Sequence, residues 1–88
     1  MAYTYYVTPG HGYLKVPYVT CRGLPITDCS IHDGCTAYLE EDVDMQTWLK
    51  ANGRIRADGR ADMRGIRTEH TDTDVYESCM TAGTFRTF

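Results

Sequence analysis

The stretch YTYYVTPGHGYLKVP, residues 3–17, has the pattern of a β-hairpin. Tyrosine and valine, which favour strands, dominate its first half. In the turn that follows, Pro9 fixes its own φ and the glycines on either side of His11 accept positive φ. On the returning strand, Leu14 and Val16 occupy alternate positions, so we expect them to share one face of a sheet. The opening of the chain therefore predicts two antiparallel strands.

A third strand and one clear helix follow further along. The segment CTAYLE, residues 35–40, has apolar side chains at alternate positions and predicts a strand. The helix is predicted at Val43–Asn52, with Asp42 as its N-cap and Gly53 as a left-handed stop. Apolar residues at helical spacing form a stripe along it: Met45, Trp48 and Leu49. We expect Trp48, the largest of these side chains, at the centre of the core.

The remaining segments carry weaker patterns. Residues 19–34 contain glycine and proline and predict a loop with one short helical turn. Residues 54–64 have little apolar content and predict a mobile loop or a long hairpin tip. A last strand is expected around 66–71, after which Phe85 and Phe88 are expected to pin the C-terminal tail to the core.

Together these elements predict one small α+β domain spanning residues 1–88, since 88 residues leave no room for a second core. We expect a three- to four-stranded antiparallel sheet with the helix 43–52 packed on one face. No apolar run approaches the roughly 18 to 20 residues of a membrane span, and the N-terminus lacks a signal-peptide core. A cytoplasmic location is therefore expected.

Charge is divided unevenly along the chain, whose formal net charge is −3. An acidic ridge is predicted at the strand–helix junction: Glu40, Glu41, Asp42 and Asp44. The arginine segment, residues 54–67, carries five basic side chains against two aspartates: Arg54, Arg56, Arg60, Arg64 and Arg67. If the two regions lie apart, the molecule has an acidic and a basic face; if they lie together, they neutralise each other.

The sequence gives little support for a catalytic site or a cofactor site. A carboxylate used as a general acid or base needs a pKa shifted by burial or by a neighbour, whereas carboxylates at a strand–helix junction are normally solvated. The acidic ridge also lacks the central glycine and distal glutamate of a calcium loop. The glycine-rich PGHG lacks the Lys-Ser/Thr of a phosphate loop. We therefore expect no catalytic residues, no cofactor and no enzymatic activity.

The segment CSIHDGC places Cys29, His32 and Cys35 at regular three-residue spacing, which suggests zinc. Structural zinc sites usually combine paired Cys-x-x-Cys or His-x-x-x-His knuckles, and this chain offers no second pair. The sequence favours free, buried thiols over a metal site, with these three residues as the zinc alternative.

Two modes of binding remain. The arginine segment has the charge to follow a phosphate backbone, but it has no aromatic side chain on which bases would stack. Carboxylates spaced along a strand and a helix start can imitate phosphates and occupy a basic protein groove. We favour protein binding through the acidic ridge, with Tyr38 and His11 adding contact, over direct binding of nucleic acid.

Two blocks of this sequence, GHGYLKVP at Gly10–Pro17 and YLEEDVD at Tyr38–Asp44, resemble small uncharacterised proteins of phages and mobile elements. The resemblance implies a phage origin and a helix directly after Pro17. Small acidic phage proteins without catalytic motifs often bind and block a host protein. We therefore expect an inhibitor of a host defence protein or ribonucleoprotein complex, of anti-CRISPR or anti-restriction type, in the host cytoplasm. The alternative is a phage regulator that binds nucleic acid through the arginine segment. The target complex and the oligomeric state stay open.

Overall fold

The chain folds into an α+β structure, as the sequence predicts. The computed structural model describes residues 3–88. Within them lie the elements β1 Tyr3–Val7, β2 Gly12–Pro17, a 3-10 helix Tyr18–Cys21, β3 Ile31–His32, β4 Thr36–Glu40, α1 Asp44–Ala51, β5 Ile66–His70, α2 Val75–Thr81 and β6 Arg86–Thr87. The strands form one six-stranded sheet in the order β5-β1-β2-β4-β3-β6.

The predicted hairpin and third strand form the middle of this sheet. β1 and β2 pair antiparallel, and β2 pairs antiparallel with β4 so that Leu14 lies opposite Leu39. The turn between β1 and β2 closes through a backbone hydrogen bond of 2.9 Å from the Thr8 N–H to the His11 carbonyl. Gly10 has a φ of 88°, which only glycine adopts without strain. Turn chemistry and alternation were therefore sufficient to place these strands.

The sheet is larger than predicted and is mixed, so the prediction of a purely antiparallel sheet of three or four strands is wrong. β5 pairs parallel with β1, with Ile66 opposite Tyr3 and His70 opposite Val7. A parallel pair needs a long crossover, and here α1 and the loop after it carry the chain across. β3 and β6 each have two residues and pair with one another at the opposite edge. Strands that short leave no alternating pattern in a sequence.

One face of the sheet carries the main core. Trp48 on α1 is fully buried, as predicted. Its indole N–H donates a hydrogen bond of 2.9 Å to the Thr20 hydroxyl, and the Tyr3 ring meets it edge-on at a centroid distance of 5.2 Å. Thr20 lies in the short 3-10 helix that follows Pro17, where the resemblance implies a helix. Buried residues of the sheet, of the 3-10 helix and of α1 complete this cluster: Leu14, Val16, Cys21, Ala37, Leu39, Met45, Leu49 and Ile66.

The opposite face is covered by α2, a helix that the sequence analysis did not predict. Tyr13 and Ile31 on this face are buried, as is Val75 at the start of α2. The Tyr38 ring lies 5.5 Å from the Phe85 ring between centroids. Phe88 packs against the main core instead, with 4.7 Å between its ring centroid and that of His32, so both aromatic residues of the tail are held against the fold as predicted.

The start of α1 differs from the prediction. The helix begins at Asp44 after Val43, and no side chain caps it, so the assignment of Asp42 as N-cap is wrong. The Asp44 carboxylate turns inward instead and is fully buried. It accepts hydrogen bonds from the Thr27 N–H at 2.9 Å, the Thr27 hydroxyl at 2.8 Å and the Ser30 hydroxyl. This carboxylate therefore ties the loop before β3 to the helix.

Candidate protein-binding site

The sheet places acidic and basic charge at opposite ends. Glu40, the last residue of β4, lies opposite Tyr13 and therefore beside the turn that joins β1 to β2. β5, which follows the loop 54–64, begins at Ile66 opposite Tyr3, at the other end of β1. The sequence left open whether the acidic ridge and the arginine segment lie together, and the strand register separates them.

At the acidic end, an open groove of about 510 Å³ is formed by residues from four segments. They come from the turn after β1, the loop before β3, the end of β4 and the start of α2. The residues that line the groove are His11, Tyr13, Asp28, Cys29, Glu40, Asp42, Asp74 and Tyr76. Four of the eight are carboxylates, and among the described residues no lysine or arginine lines it. We call this site the acidic groove.

Glu40 is the most buried carboxylate of the acidic groove, with only 9% of its surface exposed. Its Oε2 accepts a hydrogen bond of 3.0 Å from the Asp42 N–H. Its Oε1 is buried and accepts no hydrogen bond from the described residues. The His11 Nδ1 is 3.9 Å from this oxygen, which is beyond hydrogen-bonding distance. Because buried polar atoms are nearly always hydrogen-bonded in folded proteins, this oxygen is an exception that calls for an explanation.

The ionisation of Tyr13 reports on the negative charge of the acidic groove. Burial, followed by the nearby charges of Asp74 and Glu40, raises the pKa of the Tyr13 hydroxyl to about 12. A negative phenolate is disfavoured where carboxylates already set the local potential. Tyr13 therefore stays a neutral donor at physiological pH.

Glu41 lies beside the acidic groove and is held by Tyr5. The Tyr5 hydroxyl donates a hydrogen bond of 2.7 Å to the Glu41 Oε2. Burial, followed by this hydrogen bond, raises the pKa of Tyr5 to about 12. A Cβ at Gly12 would clash with the Tyr5 hydroxyl and lie 2.7 Å from the Glu41 Oε2. Glycine is therefore needed at this position for β2 to pass the pair.

Three consecutive carboxylates at this end have the geometry to hold a cation. One oxygen from each of Glu40, Glu41 and Asp42 lies within 4.8 Å of the others. Within residues 3–88, this is the one set of three or more histidine, cysteine or acidic side chains with such spacing. Carboxylate oxygens suit hard divalent cations such as Ca²⁺ and Mg²⁺, so these metals are the natural competitors for any basic ligand here.

The residues proposed from sequence are only partly brought together. His11, Glu40 and Asp42 line the acidic groove, and Glu41 is adjacent. Asp44 is fully buried, so its assignment to a partner-binding surface is wrong.

Tyr38 lies on the α2 side of the sheet but is not among the residues that line the acidic groove. Its ring packs instead between Tyr6, at 6.1 Å, and Phe85, at 5.5 Å.

Tyr13, on β2, was not assigned to a binding surface, and three further lining residues were missed by the sequence analysis: Asp28, Asp74 and Tyr76. Asp28 lies in a loop without a regular pattern, so nothing local distinguished it. A signal for the other two was present, because Asp74 is followed three residues later by Glu77, the spacing of a capping box. In the structure, Asp74 caps α2 by accepting a hydrogen bond from the Glu77 N–H.

The proposed zinc residues occupy three different environments. Cys29 and Cys35 are exposed, which contradicts the expectation of buried thiols at these positions. His32 is buried and stacks on the Tyr18 ring at 4.1 Å, while its Nδ1 accepts a hydrogen bond from the Gly34 N–H. Among the described residues, these side chains do not form a metal-binding group.

Each arginine of the arginine segment contacts a carboxylate or a backbone carbonyl, although the segment has five arginines against two aspartates. Arg64 pairs with Asp62 at 2.8 Å and holds the pKa of that carboxyl well below its usual range. Arg54 donates hydrogen bonds to the carbonyls of Asp62 and Arg64 and lies 5.5 Å above the Tyr3 ring. The remaining pairs are Arg56 with Asp62, Arg60 with Asp58, and Arg67 with Glu69.

Neither helix within residues 3–88 is long and apolar enough to cross a bilayer. Comparison of the chain with protein-family models, with curated proteins and with solved structures gave no match.

Proposed function

We propose that this protein is a non-enzymatic binding protein that docks on a basic protein surface through the acidic groove. The observation that carries the proposal is the convergence of four carboxylates from three segments on one groove. Among the described residues, no lysine or arginine lines this groove. We further propose that it is a phage inhibitor of a host nucleic-acid-handling defence complex, of anti-CRISPR or anti-restriction type. That setting rests on the sequence blocks Gly10–Pro17 and Tyr38–Asp44.

The arrangement of the acidic groove suits this role physically. Proteins that bind nucleic acid present lysine and arginine in a groove shaped for phosphates. The fixed carboxylates of another protein can occupy the positions that the phosphates normally take. Glu40 is fixed by strand pairing with β2, and Asp74 is fixed by its capping hydrogen bond. Because these side chains are already ordered, little conformational entropy is lost on binding.

The rival function, nucleic-acid binding through the arginine segment, has less support. Four of its five arginines lie within 4.0 Å of a carboxylate, and Arg54 is engaged by backbone carbonyls. A phosphate backbone would have to displace these partners before it gained the same contacts.

The test is capture of a partner from host lysate with two charge-matched double variants. Asp28→Lys with Asp42→Lys reverses two exposed carboxylates of the acidic groove. Asp58→Lys with Asp72→Lys reverses two exposed carboxylates elsewhere and changes the net charge equally. We expect the first variant to lose the captured protein and the second to retain it. Equal capture by both variants, or capture of nucleic acid that depends on Arg56 and Arg60, would contradict the proposal.

A further inference from the structure

Glu40 gives the acidic groove a specific chemical requirement. Its Oε1 is buried in the groove wall and receives no hydrogen bond from the described residues. A buried carboxylate oxygen without a donor is costly, whereas a ligand that supplies an N–H would convert that cost into binding free energy. The side chain is already held through its Oε2, and the exposed imidazole of His11 lies beside the Oε1, with its Nδ1 at 3.9 Å. A ligand in the groove therefore has to take the place of that imidazole to reach the oxygen.

The other walls indicate which donor fits. Tyr76, which is partly exposed, supplies aromatic surface beside the buried Tyr13. The rim carries three further carboxylates: Asp28, Asp42 and Asp74. A guanidinium group is planar, stacks on aromatic rings and offers N–H donors in several directions at once. An ammonium group is compact, more strongly hydrated and makes less use of a ring face. The volume of about 510 Å³ is within the range of ligand sites and is larger than one side chain needs.

We propose that the acidic groove receives one arginine side chain of the protein partner, together with its flanking backbone, and that its guanidinium displaces the exposed His11 imidazole and donates to the Glu40 Oε1. This inference rests on the proposed function, because the arginine belongs to the basic surface on which the protein docks. The aromatic ring of Tyr76 flanks the guanidinium, and the rim carboxylates accept its remaining N–H groups.

The experiment is an NMR titration of the full chain with three blocked peptides, which carry arginine, lysine or citrulline between glycines. Citrulline keeps the shape of arginine but has no charge, and lysine keeps the charge without the planar fork. We expect the arginine peptide to shift the amides around Tyr13, Glu40 and Asp74, and to bind about tenfold more tightly than the citrulline peptide. The lysine peptide should fall between them.

Matched variants test whether binding of the arginine peptide depends on the Glu40 carboxylate. Glu40→Gln should weaken binding of the arginine peptide by about tenfold, whereas Asp58→Asn changes the net charge equally at a distant site and should leave it unchanged. Asp42→Asn, at an exposed position, tests the same groove without altering a buried group. Melting curves of each variant establish that it is folded.

Three results would overturn the inference: equal binding of the arginine and citrulline peptides, full binding by the folded Glu40→Gln variant, or shifts in the acidic groove with Ca²⁺ or Mg²⁺ but not with the arginine peptide. Its failure is distinct from failure of the proposed function. If the peptide does not bind but Asp28→Lys with Asp42→Lys still abolishes partner capture, docking stands and the arginine pocket is wrong. If the peptide binds but capture is unaffected, the docking proposal is wrong.

Discussion

Asp44 and Glu40 are two buried carboxylates four positions apart, and they differ in how many hydrogen bonds they accept. Asp44 is fully buried and accepts hydrogen bonds from two groups of Thr27 and one of Ser30. Glu40 is almost as buried, yet one of its oxygens accepts no hydrogen bond from the described residues. Burial alone therefore does not separate a structural carboxylate from a binding one. The supply of hydrogen-bond donors within the chain separates the two residues: it places Asp44 among the groups that hold the fold, and it is the reason for proposing Glu40 as a binding residue.

The largest change in the free energy of unfolding is expected at the core, and the changes at Asp44 and Glu40 can be compared with it. Trp48→Ala removes the largest fully buried side chain and its hydrogen bond to Thr20. We expect the free energy of unfolding to fall by roughly 3 to 5 kcal/mol, a large part of the stability of a domain this small. Urea denaturation measures the change, and an unchanged midpoint would mean that Trp48 does not hold the core together.

Asp44→Ala tests the structural side of the comparison. It leaves the Thr27 and Ser30 donors without their acceptor, and we expect a loss of roughly 3 kcal/mol in the free energy of unfolding. Asp42→Ala is the control, since Asp42 is exposed and does not cap α1, and it should change stability by no more than about 0.5 kcal/mol. A similar cost for both variants would remove the distinction between the two positions.

Gly12→Ala tests the packing beside the acidic groove. The added Cβ clashes with the Tyr5 hydroxyl, so the Tyr5–Glu41 hydrogen bond must break or β2 must shift. We expect a loss of roughly 1 to 3 kcal/mol in the free energy of unfolding, as for other overpacked sites. Tyr5→Phe removes the hydrogen bond without adding volume and should cost less. If Gly12→Ala costs no more than Tyr5→Phe, close approach is not the reason for glycine at this position.

Glu40→Gln tests the binding side, and the smallest effect on stability is expected here. The amide keeps an oxygen that can accept from the Asp42 N–H and removes a buried negative charge that is only partly satisfied. We expect the free energy of unfolding to be unchanged or to rise by up to about 1 kcal/mol. A loss comparable to that of Asp44→Ala would show that Glu40 also serves the fold.

The same contrast explains what could be predicted from the sequence. The hairpin, β4, α1 and the position of β5 follow from alternation, helical spacing and turn residues, all of which are local signals. The parallel pairing of β5 and the two-residue strands β3 and β6 depend on tertiary contacts, and no local sequence signal predicts them. Asp44 was misplaced for the same reason, because its partners Thr27 and Ser30 lie 17 and 14 positions away.

The acidic groove was only half visible in the sequence. The ridge Glu40–Asp44 stood out because its carboxylates are adjacent along the chain. Asp28 and Asp74 join Glu40 only after folding. Local charge density thus indicated the end of the molecule at which the acidic groove lies, but the full set of lining residues required the register of the sheet and the position of α2.

The cysteines provide the most direct measurement of partner docking at the acidic groove. Cys29 lines the groove, whereas Cys35 is exposed and does not line it. Burial raises the pKa of Cys21 to about 11, and because the thiolate is the reactive form, Cys21 stays unlabelled in the native protein near pH 8. Alkylation rates of Cys29 and Cys35, read by mass spectrometry in the free protein and in the captured complex, test the claim. We predict that the partner slows alkylation of Cys29 while that of Cys35 is unchanged; equal rates for Cys29 in the free and bound protein would contradict the account.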